Sequence, residues 1–477
     1  MLRLENITVW DTGEKITLII PENRQNFFSQ EHAITSGSVD ASGLIVAPGL
    51  CDPHVHFRDP GQTDKETMIS GAKAAAAGGY TNVLIMPNTI PALDGQDIVD
   101  LEQTEEAQFI AHSGCKNSIE YLQQYEKIHD QKLPVEYALS VCASVNRKGE
   151  QASDITKWQS YIVGKCCNNH PITAISDDGS AVTDSILQEV AQHCLQTGLP
   201  LVEHCEHHDT GVMNDGQTAR KLQVPGIPAS TELQIVERDI KLAEETGVQI
   251  HFQHVSTAAA FDAIRQAKKR GLPITCETAP HYIALCDEDV QQYGTYAKMN
   301  PPLRSKQDMQ ATIAAIADGT VDMIATDHAP HTIREKETSL LEAPNGIIGL
   351  ETAYAVCNSV LVQGGYISQK RLIELMSCAP ARFMNHKPTD IAALLNTCST
   401  CATQRELNLS QVENPQLVNL CIINPELRWS IDAEQFWSKA RNTPFNTWNV
   451  SGKPLATIIQ SQLTYSAIPQ NRSVNNG

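Results

Sequence analysis

Eight short apolar segments, most of them followed by a polar loop and a helical stretch, constrain the fold of this chain more than any other feature. They have the length and the β-branched content of buried strands. They lie at 50–57, 81–87, 136–142, 172–176, 200–204, 248–254, 274–278 and 321–326. Eight strands alternating with helices over about 280 residues predict a (β/α)8 TIM-like barrel. A doubly wound sheet is the alternative, but no glycine-rich phosphate loop opens the first helix.

The two ends of the chain are rich in short strand-like runs and contain little helical pattern. Neither end is long enough to bury a core alone, so we expect residues 1–47 and 416–477 to form one small β-sandwich. The barrel would then occupy residues 48–385. Residues 386–415 are polar and lack glycine, and we expect them to be a surface insertion. The Cys398-Ser-Thr-Cys401 spacing inside it has no second cysteine pair and is interpreted as inert.

Composition excludes several functions. The formal net charge of −19 over 477 residues argues against nucleic acid and anionic membranes as partners. No apolar run is long enough for a transmembrane helix, and the N-terminus has no signal-peptide pattern. Fourteen cysteines spread along such a chain indicate reduced thiols, so we expect a cytoplasmic protein.

Metal-type ligands and other polar residues collect where the predicted strands end. Catalytic groups gather at this edge of a barrel. The residues are His54, His56, Arg58, Asn88, Asp177, Asp178, His204, His254, His281, Asp327 and His331. Side chains alternate along a strand, so His54, His56 and Arg58 point to one side. Two imidazoles there can hold a divalent metal, and the guanidinium can hold an anion.

Seven motifs in this order resemble the amidohydrolase superfamily and, more narrowly, class I dihydroorotases. They run from about residue 44 to 384, with a weak return at 438–445. They are Asp52-Pro-His-Val-His-Phe-Arg-Asp-Pro-Gly61, Met86-Pro-Asn-Thr89, Ser176-Asp-Asp-Gly179, Glu203-His-Cys-Glu206, His254-Val-Ser-Thr257, Met299-Asn-Pro-Pro-Leu-Arg304 and Ala325-Thr-Asp-His-Ala-Pro-His331. Together they are far more specific than any one alone.

The resemblance implies two Zn²⁺ ions per subunit. His54, His56 and Asp327 would bind one ion, His204 and His254 the other, and Asp178 would bridge them. From the pattern alone Asp177 fits the bridging position equally well; only the resemblance favours Asp178. Imidazole and carboxylate ligands suit zinc.

The implied activity is that of a dihydroorotase, the reversible cyclisation of N-carbamoyl-L-aspartate to (S)-dihydroorotate in de novo pyrimidine biosynthesis. Two zinc ions would lower the pKa of a shared water, and the hydroxide would attack the ring amide. Asp327 would carry the proton to the departing nitrogen. The residues implied in substrate binding are Arg58, Asn88, Asn300 and His331, with Asn345 and Gly346 contacting the ring through backbone atoms.

Two alternatives stay open. One is an allantoinase- or hydantoinase-type cyclic amidohydrolase, although many such relatives bridge their metals with a carboxylated lysine, and here the fourth strand ends in aspartates. The other is a catalytically silent scaffold for aspartate transcarbamoylase, which the filled ligand positions disfavour. We expect a homo-oligomer, and association with aspartate transcarbamoylase is a hypothesis raised by the family.

Overall fold

The computed structural model describes residues 1–22, 27–100, 105–162, 170–206, 211–397 and 405–472. Cys398-Ser-Thr-Cys401 lies outside the described residues. Among the helices of these ranges, none combines the length and apolar character needed to cross a bilayer.

A parallel barrel of eight strands forms the centre of the molecule, as predicted. Its strands, in sheet order, are Leu50–Val55, Tyr80–Ile85, Glu136–Val141, Ile172–Ile175, Leu201–Glu203, Ile250–Phe252, Ile274–Thr278 and Met323–Ile324. The first and last strands approach each other closely enough for His56 N to donate to His328 O at 2.9 Å. The carboxyl ends of all eight strands therefore meet at one mouth.

Helices cover the outside of the barrel and fill its loops. The α-helices are Met68–Ala77, Glu105–His112, Ser118–Gln123, Tyr125–Ile128, Ile155–Trp158, Leu187–Thr197, Gln217–Leu222, Ser230–Thr246, Ala258–Lys269, Pro280–Ala284, Val290–Tyr293, Lys306–Ala317, Ile333–Lys336, Ala353–Cys357, Gln369–Ile373, Ala379–Phe383 and Ile391–Thr397. Asn358–Val362 and Glu374–Cys378 are π-helical continuations. The 3₁₀ turns are Ile98–Asp100, Val145–Arg147, Gln159–Tyr161, Asp287–Asp289, Gly294–Ala297, Leu409–Gln411, Pro415–Leu417, Ala433–Gln435 and Gln470–Arg472. Thr67 and Thr257 cap their helices by accepting from Ser70 N and Ala260 N.

The chain ends form one mixed sheet of nine strands. Its hydrogen-bonded order is Glu406–Asn408, Lys15–Ile20, Leu2–Val9, Ile45–Pro48, Leu420–Ser430, Asn449–Ile459, Gln462–Ser466 and Phe28–Ser29, with Gly37–Asp40 paired to Leu2–Val9. Met213–Asn214 and Gly226–Ile227 form a separate parallel pair. The nine-stranded sheet packs against the barrel at Gly79. The φ of Gly79 is 87°, and a Cβ at this position would lie 2.6 Å from Cys421 Sγ. Only glycine permits that approach.

Parts of the segment 386–415, which we expected to be a surface insertion, pair or pack with the nine-stranded sheet. Glu406–Asn408 pairs in parallel with Lys15–Ile20 and extends the sheet at its edge. Ile391 and Leu395, on a helix of the same segment, are buried in the apolar core of the sheet. These parts of the segment belong to the β unit, because their apolar side chains supply some of its core.

Leu395→Ala tests this assignment. Leu395 is 2% exposed, so its truncation should lower the free energy of unfolding by about 2–5 kcal/mol through lost burial and a cavity. Leu417→Ala is the matched control, because Leu417 is 60% exposed and its loss should change stability by less than about 0.5 kcal/mol. Denaturant unfolding of both variants measures the difference; equal stabilities would contradict burial of the 391–397 helix.

Candidate metal centre

Six side chains converge at the mouth of the barrel, each from the end of a strand. They are His54, His56, Asp178, His204, His254 and Asp327, and all are buried. Donor atoms of His54, His56 and Asp327 lie within 4.8 Å of one another, as do those of His54, Asp178 and His254. The barrel topology therefore brings together ligands that are distant in sequence.

Asp178 lies between four imidazoles. Its Oδ1 is 3.3 Å from His54 Nε2, 3.6 Å from His204 Nδ1 and 3.8 Å from His254 Nε2. Its Oδ2 is 3.4 Å from His56 Nε2. The carboxylate thus faces both halves of the cluster.

The structure distinguishes the two aspartates that the sequence left open. Asp177 accepts hydrogen bonds from the backbone N–H of Ser144, at 3.0 Å, and from the Ser144 hydroxyl. These contacts hold its carboxylate at the neighbouring loop. Asp178 alone of the pair faces the imidazoles.

Asp327 completes the other half of the cluster. Its Oδ1 is 3.0 Å from His56 Nε2 and 3.4 Å from His54 Nε2. Burial opposes ionisation of this carboxyl, but the adjacent His54 and His56 lower its pKa to about 2. Asp327 is therefore a carboxylate at neutral pH.

Several buried polar atoms of the cluster have no hydrogen-bond partner among the described residues. They are His54 Nε2, Asp178 Oδ1 and His254 Nδ1. The first two are 3.3 Å apart yet are not hydrogen-bonded. Unpaired buried polar atoms are costly, and a divalent cation bound by His54 Nε2 and Asp178 Oδ1 would remove that cost for these two atoms. The donor set of imidazoles and carboxylates fits zinc.

Two residues of the cluster at the barrel mouth have a strained backbone. His254 has a φ of 35° and Asp327 a φ of 47°, in the left-handed region that non-glycine residues rarely occupy. Such strain persists only where surrounding contacts fix the conformation, and it concentrates at functional sites.

A buried chain of hydrogen bonds, which the sequence pattern did not predict, orients His54. Its Nδ1 donates to Glu277 Oε1 at 2.8 Å, so that Nε2 faces the carboxylates. Glu277 Oε2 lies 3.0 Å from His251 Nε2, and His251 Nδ1 lies 2.8 Å from Thr275 Oγ1. Burial opposes ionisation of Glu277, but the bonds to His251 and His54 lower its pKa to about 2. The sequence feature that could have indicated this chain of bonds is Glu277, because it is the only charged residue of the strand Ile274–Thr278.

A second buried network supports the loops that carry His204 and His254. Glu232 accepts from the backbone N–H of Ser256, at 3.2 Å, and of Thr257, at 2.8 Å. Arg304 donates to Ser256 Oγ and to Glu206 Oε2, both at 3.1 Å. The loops after three barrel strands are thereby joined.

A cavity of about 130 Å³ opens beside the cluster. Five of the six predicted substrate contacts line it: Arg58, Asn88, Asn300, Asn345 and Gly346. Asn88 Oδ1 accepts from His56 Nδ1 at 2.9 Å, and Asn300 Nδ2 is 3.2 Å from His204 Nε2. Burial lowers the pKa of Arg58 to about 10, so the guanidinium stays positive at neutral pH.

His331 is placed differently from the other predicted substrate contacts. It does not line the cavity, and its Nε2 donates to the backbone carbonyl of Asn345 at 2.8 Å. Burial, together with Arg58 and Lys65, lowers the pKa of His331 to about 3. The neutral ring therefore contacts the cavity wall.

Glu277→Gln should weaken metal binding roughly 10- to 100-fold, because the amide orients His54 without the carboxylate charge. Chelator competition monitored by metal analysis measures the affinity. Glu351→Gln is the matched control: this buried carboxylate accepts from Trp437 N and Ser438 N, away from the cluster. Wild-type affinity in Glu277→Gln would contradict an orienting role.

Comparison with known proteins identifies the family of this chain. A model of the amidohydrolase family matches residues 45–389. The dihydroorotase of Geobacter metallireducens is 36% identical over 434 residues, covering 90% of this chain and 89% of that protein. The dihydroorotase of Lactiplantibacillus plantarum is 37% identical over 474 residues, covering 97% and 98% respectively.

Solved structures share the fold. L-hydantoinase (dihydropyrimidinase) from Arthrobacter aurescens superposes with a TM-score of 0.68 at 20% identity, over 98% of this chain and 96% of that one. Dihydropyrimidinase from Brevibacillus agri gives a TM-score of 0.70 at 18% identity, over 99% and 96%. The chain therefore belongs to the amidohydrolase family, among its members that act on cyclic amides.

Proposed function

We propose that this chain is a zinc-dependent dihydroorotase, which interconverts N-carbamoyl-L-aspartate and (S)-dihydroorotate in de novo pyrimidine biosynthesis. The observation that carries the proposal is the cluster of four imidazoles and two carboxylates, with His204 joined to the others at Asp178, beside a cavity lined by Arg58. The dihydroorotases at 36–37% identity over at least 89% of their length support the substrate.

In this proposal two zinc ions are held per subunit. His54, His56 and Asp327 would hold one ion, and His204 and His254 would hold the other. Asp178 would be available to both ions, because its carboxylate lies between the imidazoles. When bound, the ions supply Lewis acidity that activates water and polarises the amide carbonyl.

Asp327 moves the proton in this scheme. Its carboxylate is ionised at neutral pH and lies at the cavity, so it accepts a proton from the attacking water. It then returns that proton to the departing ring nitrogen. In the cyclisation direction the same group removes the proton from the carbamoyl nitrogen.

The cavity side chains bind the substrate. The Arg58 guanidinium pairs with the substrate carboxylate in a forked contact, which Asn88 extends. Asn300 and the backbone of Asn345 and Gly346 contact the ring. His331 acts in this proposal by holding the Asn345 carbonyl, and a direct contact with the substrate carboxylate would require that bond to open.

A substrate panel tests the activity. Purified protein with two zinc ions per chain should hydrolyse dihydroorotate and leave allantoin and hydantoin essentially unchanged. Turnover of hydantoin in preference to dihydroorotate would support the hydantoinase alternative. Two bound zinc ions without turnover of any of the three would support the silent scaffold.

Arg58→Ala tests the carboxylate contact. Loss of a buried charge pair should weaken transition-state binding by roughly 2–5 kcal/mol, seen mainly as a higher KM for dihydroorotate. Arg58→Lys keeps the charge without the planar fork, so its KM should be intermediate. Zinc content should equal that of the wild type; loss of zinc from Arg58→Ala would show that Arg58 supports the metals instead.

The proposal also includes a homo-oligomer, association with aspartate transcarbamoylase and a cytoplasmic location. Light scattering after size exclusion measures the oligomeric state, and co-elution with purified aspartate transcarbamoylase measures the association.

A further inference from the structure

Two buried lysines contact the segment 341–346, which forms one wall of the cavity. Lys336 is 0% exposed and Lys298 is 6% exposed. Neither lines the cavity, whereas Asn345 and Gly346 of the segment do. The lysines therefore lie one layer behind the predicted ring contacts.

Both ammonium groups bind backbone carbonyls of this segment. Lys336 Nζ donates to Pro344 O at 2.9 Å and to Gly346 O at 3.1 Å. Lys298 Nζ donates to Ala343 O at 2.6 Å, with Leu341 O at 3.5 Å. The backbone also connects them, because Gly346 N donates to Lys298 O at 3.0 Å.

Burying these two lysines costs folding free energy that filling space alone would not require. Burying an ammonium is unfavourable, and within the described residues no carboxylate forms an ion pair with either. Burial, with the nearby Lys298, lowers the pKa of Lys336 to about 7. A methionine would fill the same space without this cost. The hydrogen bonds to the segment are what the ammonium groups add.

Asn442 fixes the same segment from the C-terminal part of the chain. Its Nδ2 donates to Ala329 O at 2.9 Å and to Gly346 O at 3.0 Å, and its Oδ1 accepts from His331 N at 3.1 Å. Gly346 has little room to move, since a Cβ there would lie 2.6 Å from Ala329 O. The wall is thus held from both sides.

We infer that Lys298 and Lys336 are positioning residues for substrate binding, which fix the backbone of Asn345 and Gly346 at the cavity by holding the carbonyls of 341–346. This inference rests on the proposed function for the identity of the ligand. Positioning of this kind acts on binding of the ring. It leaves the metal ligands in place, because the contacts of both lysines are with the segment itself.

Lys336→Met and Lys298→Met test the inference in the zinc-loaded full-length protein. Each should raise KM for dihydroorotate by about tenfold or more while kcat changes less and zinc content is unchanged. Lys268→Met is the matched control, because Lys268 Nζ also donates to a backbone carbonyl, Thr320 O, and pairs with Asp322, but away from the cavity. Its KM should remain that of the wild type.

Hydrogen exchange of peptides covering 339–347 gives a readout that does not depend on the reaction. Exchange there should accelerate in Lys336→Met and Lys298→Met and stay unchanged in Lys268→Met. If Lys336→Met does not fold, Lys298→Met carries the test, because Lys298 Nζ holds the same segment through Ala343 O.

The outcomes separate the two proposals. Wild-type protein that leaves dihydroorotate unchanged overturns the proposed function, and the exchange measurement then still shows whether the lysines hold the segment. Active wild-type protein with an unaltered KM in the folded lysine variants overturns the positioning role. Equal rises in KM in all three lysine variants would also overturn it.

Discussion

The contact of the Asp178 carboxylate with four imidazoles is the interaction on which the site depends. One carboxylate oxygen faces His54, His204 and His254, and the other faces His56. The four imidazoles come from the ends of three barrel strands, because His54 and His56 share the first strand end. The arrangement therefore requires these strand ends to keep their register. The hydrogen bonds of Glu277, Glu232 and Arg304 behind the ligands maintain that register. The barrel and its buried polar networks are therefore one structural unit.

The sequence predicted the barrel strands well because each is a short apolar run ended by polar residues. The segment 274–278 is a strand with the same bounds in the structure, while 321–326 is reduced to Met323–Ile324. Pairing of Glu406–Asn408 with Lys15–Ile20 was not predictable, because a three-residue strand with two polar members carries almost no periodic signal. The structure of this segment is therefore determined by pairing with a strand that is distant in sequence.

The candidate site was predictable only in part, for a related reason. Strand position predicted the candidate ligands, but it does not indicate which way a loop side chain points. From the pattern alone, Asp177 and Asp178 were therefore equal candidates for the position between the metals. The structure separates them, because Ser144 donates to Asp177. His331, predicted among the substrate contacts, donates to the Asn345 carbonyl in the structure, a bond that strand position does not indicate. Glu277 and His251 were missed because their role depends on contacts between adjacent strands.

The charge of the site contrasts with that of the whole chain. A protein with a formal net charge of −19 would repel an anionic substrate unless positive charge were placed locally. Arg58 supplies it at the cavity, and Lys298 and Lys336 lie behind the segment 341–346. The Nζ atoms of both lysines are bound by carbonyl oxygens, and burial lowers the pKa of Lys336 to about 7, so this side chain is only partly charged at neutral pH. Arg58, whose pKa burial lowers only to about 10, therefore provides the positive charge at the cavity, and the two lysines act on the cavity through the backbone that they hold.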